Sequence, residues 1–106
     1  MSAEHFSQSY AEARAKFLRV AEDEGLAIER HVHPDGRGYE GEELSMDCAR
    51  LGPAQADRLL ILTSGTHGVE GFCGSGAQVA LLHDAEFLAQ ARANGAAILI
   101  IHAVNP

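Results

Sequence analysis

Two unbroken apolar runs set the limits on this fold: Leu59-Leu60-Ile61-Leu62, and residues 96–104 with Ile98-Leu99-Ile100-Ile101 at their centre. Runs without polar alternation suit strands buried on both faces, as in the middle of an α/β sheet. Between them lie a glycine-rich turn and two helical stretches. Strand, helix, strand in that order predicts a right-handed crossover with both strands parallel. Residues from about 74 to 82 are apolar nearly all round, which predicts a buried helix. Asp84 then caps a further helix carrying Phe87, Leu88 and Ala91, and Gly95 stops it.

The chain before these runs is organised differently. Ser9 followed by Glu12 is a capping box, and Phe6, Tyr10, Ala13, Phe17, Val20 and Ala21 recur at the three-and-four spacing of an amphipathic helix. That helix is predicted over residues 10–24, with Gly25 as its left-handed stop and Glu12–Lys16 as a weak surface pair. From Leu26 the period changes to two, with Leu26, Ile28 and Val32 opposite Ala27, Glu29, His31 and His33. Residues 34–38, Pro-Asp-Gly-Arg-Gly, read as a turn, after which Leu44, Met46 and Cys48 alternate with Ser45, Asp47 and Ala49. The two strands form an antiparallel hairpin. The predicted fold class is therefore α/β, one domain over 1–106, whose mixed sheet begins with an antiparallel hairpin and continues with parallel strands, helices on its faces.

Charge narrows the partners. With 15 acidic and 8 basic residues the net charge is −7, and a polyanion needs clustered Lys and Arg to neutralise its phosphates. Nucleic acid is not expected as a partner. An acidic balance favours a cationic substrate in principle, but it also serves simply as a solvated surface. No apolar segment reaches the ~20 residues of a bilayer span, and the amino terminus lacks a signal-peptide pattern, so no membrane is expected and the cytoplasm is the predicted location. Cys48 and Cys73 are read as reduced thiols, Cys73 with a buried packing role.

The chemistry is concentrated in Thr63-Ser64-Gly65-Thr66-His67-Gly68-Val69-Glu70-Gly71, directly after the first apolar run. Imidazole nitrogen with carboxylate oxygen is an established zinc donor set. Gly65, Gly68 and Gly71 permit the sharp turn that would bring His67 and Glu70 to one ion. The same residues equally describe a satisfied polar turn, with His67 bonded to backbone and Glu70 capping the next helix; spacing alone leaves both open. Among the other histidines, His102 lies at the end of the second run, where it either approaches the site or is buried in the sheet. His31 and His33 are expected on the surface, and His83 against helix-terminal carbonyls. A Gly-Lys-Ser/Thr phosphate loop, a dinucleotide fingerprint and a nucleophile elbow at Ser75 are all absent.

The block Ser64-Gly65-Thr66-His67-Gly68-Val69-Glu70-Gly71, the apolar helix after it and the strand leading to Asn105-Pro106 resemble the zinc carboxypeptidase superfamily, in particular a bacterial branch of carboxypeptidase-like proteins. The resemblance implies an incomplete carboxypeptidase-like (phosphorylase/hydrolase-like) domain with zinc as cofactor and His67 and Glu70 as two of its ligands. It also implies that the third ligand, the general base and the substrate-binding groups lie beyond Pro106, so that residues 1–106 are the N-terminal part of a longer catalytic domain. The implied activity is hydrolysis of a peptide or amide bond with metal-activated water. Two alternatives accompany it: a zinc-dependent deacylase or amidase acting on a small acyl amino acid substrate, and a non-catalytic remnant or binding module. A sheet that ends at residues 96–104 should also leave an uncovered edge, through which self-association is expected.

Overall fold

A computed structural model describes residues 3–106. After one short 3-10 turn, Ala3–His5, the elements are helix α1 (Tyr10–Asp23), strands β1 (Ala27–Arg37), β2 (Glu43–Leu51) and β3 (Leu59–Thr63), helices α2 (Gly71–Leu82) and α3 (Ala85–Asn94), and strand β4 (Ala97–His102). The sheet order is β1-β2-β4-β3. β1 pairs antiparallel with β2, β2 antiparallel with β4, and β4 parallel with β3. This is the mixed α/β sheet, hairpin first and parallel strands after.

Local chemistry explains the helix ends. Ser9 Oγ accepts the Glu12 amide at 3.2 Å, and Glu12 returns to the amide of Gln8, one residue before the cap. Asp84 accepts the Phe87 amide at 3.0 Å, and Gly95 closes α3 in the left-handed conformation. All three helices contribute to one core: Phe17, Val20 and Ala21 of α1, Val79 and Leu82 of α2, and Leu88 of α3 meet β2 and β4. In β2 the inward side is Ser45, Asp47, Ala49 and Leu51, while Leu44, Met46 and Cys48 are only half-buried.

Four expectations are corrected. β1 continues through Pro34, Asp35 and Gly36 to Arg37, and the turn falls at residues 38–41, closed by Gly38 N–H to Glu42 O at 2.9 Å. Proline is tolerated there because β1 is an edge strand and the pairing register breaks between Val32 and Arg37. β3 is also an edge strand, with Leu59, Leu60 and Ile61 52%, 49% and 50% exposed, so its run is not covered on both faces by the described residues. α2 is buried along Ser75, Gln78, Val79 and Leu82 rather than all round, which leaves Cys73 exposed instead of packed. His83 stacks on His5, ring centroids 4.9 Å apart, rather than serving helix carbonyls.

Candidate functional site

The parallel strands β3 and β4 end side by side, and a set of buried polar groups ties together the segments that leave them. Ser64 N–H donates to Ile101 O at 3.1 Å, Val104 N–H to Ser64 O at 2.8 Å, and Asn105 N–H to Gly65 O at 3.0 Å. Gln78 reaches from α2 between the two strand ends: its Nε2 donates to Leu62 O and Ile101 O, both at 3.1 Å, and its Oε1 accepts from Ser64 Oγ at 2.9 Å. Gln78 thereby adds a side-chain clasp to the β3–β4 pairing at the point where the two strands end. Gly65 adopts φ +73°, and a Cβ there would lie 2.7 Å from Ala103 Cα. Only glycine allows that turn and that approach together.

From this base the loop of residues 65–70 leads into α2. His67 and Glu70 are both exposed, and among the described residues neither side chain enters a hydrogen bond or ion pair. Glu70 occupies the cap position of α2 without a side-chain bond to a helix amide. The polar-turn alternative, in which these side chains are consumed by the backbone, is thus not the arrangement the fold adopts. The donor chemistry fits zinc, one imidazole nitrogen and one carboxylate, but among the described residues no three His, Cys, Asp or Glu side chains converge. His67 and Glu70 are thus two donor-type side chains with no third beside them among the described residues.

His102 does not join them. It is 1% exposed, stacked on Phe17 with ring centroids 4.7 Å apart, and hydrogen-bonded through Nε2 to Ser75 Oγ at 2.8 Å. Desolvation lowers its pKa to about 4, against the opposing pull of the nearby Asp47 carboxylate. His31 and His33 are on the exposed outer strand as expected, His31 beside Glu29 at 3.2 Å and His33 accepting the amides of Asp35 and Gly36.

A second polar cluster, unforeseen from the sequence, joins α1 to β2. Asp47, with no exposed surface, is held by Arg14 Nε at 2.7 Å and Nη2 at 3.3 Å and by Ser45 Oγ at 2.7 Å. Arg14 also reaches Glu43 at 2.8 Å, and the bond to Asp47 raises its already high pKa. Tyr10 Oη donates to Ser45 O at 2.7 Å and accepts the Ser45 amide at 2.8 Å. Tyr10 and Arg14 are four residues apart on α1, and Ser45 and Asp47 share the inward face of β2; that double spacing was the available signal.

Residues 6–106 match the family described as "Protein of unknown function (DUF2817)". The chain belongs to the DUF2817 family. Among curated proteins none matches it in sequence. In fold this DUF2817 chain is similar to the glutaminyl cyclase of Porphyromonas gingivalis, with TM-score 0.55 and 18% identity over 91% of this chain and 37% of that one. It therefore spans well under half the length of that structure, and the likeness is one of fold. No helix among the described residues is long and apolar enough to cross a membrane.

Proposed function

We propose that this DUF2817 chain carries the first half of a zinc site in a hydrolase of peptide or amide bonds, with His67 and Glu70 as two protein ligands. The observation that carries this reading is the pair itself: an imidazole and a carboxylate, exposed and uncommitted, at the carboxyl ends of parallel strands, where α/β sheets gather their sites. The likeness of the Ser64 to Gly71 block to zinc carboxypeptidases supports the choice of metal. A zinc ion held there, with a third donor from outside these residues, would polarise the scissile carbonyl and acidify a water molecule.

The chain's own residues do the positioning. Gln78 and Ser64 fix the strand ends, Gly65 lets the loop turn against Ala103, and α2 begins at Gly71, directly after Glu70. Metal content and hydrolysis measured on protein purified from its native source test the assignment. Bound zinc, with hydrolysis of peptides or N-acyl amino acids that a chelator abolishes and zinc restores, is the expected result. Protein free of zinc contradicts it. Zinc without hydrolysis of either substrate class favours the second reading, a non-catalytic binding module.

A further inference from the structure

A groove of about 530 Å³ opens between the amino end of α1, the β1–β2 turn and the glycine loop, and Gly65, Gly68 and Gly71 of that loop form one of its walls. The volume lies in the range of small-molecule sites, roughly 300–1,000 Å³. Its body is apolar, built from Ala13, Leu44, Phe72 and Pro106, with Tyr39 at the turn. Its charged lining consists of two carboxylates, Glu40 and Glu42; no lysine or arginine among the described residues lines it.

Those two carboxylates stand apart from their neighbour in the sequence. Glu43 is engaged by Arg14 at 2.8 Å, whereas Glu40 and Glu42 enter no ion pair among the described residues. Glu42 is half-buried and folded over Gly38, its Oε1 accepting the Glu40 amide at 2.9 Å. A partly desolvated negative charge without a counter-charge favours a cation supplied by a ligand. Among the lining residues His102 is 1% exposed, and its Nδ1 has no hydrogen-bond partner among the described residues.

We propose that this groove binds a substrate side chain with an apolar stem and a cationic head, of the lysine or arginine type. The stem lies along Leu44 and Phe72, and the head meets Glu40 and Glu42. The inference rests on the hydrolase reading in one respect, that the groove adjoins the loop bearing His67 and Glu70, so the side chain belongs to the residue next to the bond attacked. A terminal carboxylate is excluded from the groove by the same charges.

The test is a backbone-amide NMR titration of the chain with Nα-acetyl-lysine amide, whose single charge is on the side chain, alongside the uncharged Nα-acetyl-norleucine amide. The expected result is saturable shifts at Tyr39, Glu42 and Phe72, with norleucine amide bound about fivefold more weakly and Glu40→Gln/Glu42→Gln removing the difference. Glutamine at position 42 keeps the acceptor for the Glu40 amide, so the variant separates charge from turn structure. Equal binding of the two ligands, shifts centred elsewhere, or no saturable shift at millimolar ligand overturns the proposal. Lysine-amide binding by the chain, with native protein that holds no zinc, would sink the hydrolase reading and leave the groove standing; zinc in the native protein without lysine-amide binding would do the reverse.

Discussion

Asp47 on β2 and His102 on β4 face each other across the sheet as paired residues, both at most 1% exposed, yet no hydrogen bond joins them. Asp47 commits its oxygens to Arg14 and Ser45, and His102 bonds Ser75. Burial keeps the imidazole uncharged, its pKa lowered to about 4 by desolvation; the Asp47 carboxylate pulls the other way, and the Arg14 guanidinium adds to the lowering.

This arrangement predicts a pH dependence of stability. The unfolded chain protonates His102 near pH 6.5 while the folded chain resists protonation until about pH 4. The stabilising contribution is therefore complete above pH 6.5 and is lost as pH falls towards 4, by up to about 3 kcal/mol. Urea melts between pH 7.5 and 4 should show the loss, and His102→Leu should flatten the profile over that window. An unchanged slope in the variant would assign the acid sensitivity elsewhere.

The Asp47 cluster predicts an asymmetry between its acidic members. Asp47→Ala leaves the largely buried Arg14 guanidinium and the Ser45 hydroxyl without their acceptor and should cost about 3 kcal/mol, whereas Glu43→Ala, on a half-exposed side chain, should cost less than about 1 kcal/mol. Chemical denaturation of both variants checks this. Replacing both partners, Arg14→Met with Asp47→Leu, should recover much of the loss, since a buried pair can be exchanged for apolar packing.

Gly65→Ala should destabilise by about 2–4 kcal/mol, combining the penalty for a side chain at positive φ with a contact to Ala103 Cα that backbone would have to relieve. For a chain of this size that is a fall of at least roughly 8 °C in Tm. Gly68→Ala, where no atom lies within 4 Å of an added Cβ and φ is not positive, is the control and should melt close to the parent.

β3 predicts the behaviour of the chain in solution. One side of this strand pairs with β4 and the other has no strand partner among the described residues, while Leu59, Leu60 and Ile61 are each about half exposed. Sedimentation of the 106-residue chain should show concentration-dependent self-association, and Ile61→Lys should shift it towards monomer. A monomer at all concentrations would contradict the prediction.

How much of the fold is legible in the sequence depends on the range of the forces involved. α1 and α3 are readable because Ser9, Asp84, Gly25 and Gly95 act within one turn of the helix they bound. The parallel pairing of β3 and β4 is readable because helical stretches separate their two apolar runs, and a strand–helix–strand unit returns in parallel. The inward face of β2 is not: Ser45 and Asp47 look like the solvent side of an alternating strand until Tyr10 and Arg14, more than thirty residues earlier, are packed over them. The strand through Pro34 is hidden for the opposite reason, since proline's local signal is stronger than the edge position that tolerates it. At the candidate site, the spacing of His67 and Glu70 marks them out, but only packing reveals that they are uncommitted while His102 is buried.

Zinc binding to His67 and Glu70 is the claim on which the functional account depends, and calorimetric titration of zinc into the metal-stripped native protein, which also supplies the third donor, and into its variants tests it most directly. The account predicts one saturable site per chain, lost in His67→Ala and weakened at least about tenfold in Glu70→Gln, with the fold of both variants intact by circular dichroism. Zinc affinity unchanged in His67→Ala would contradict it.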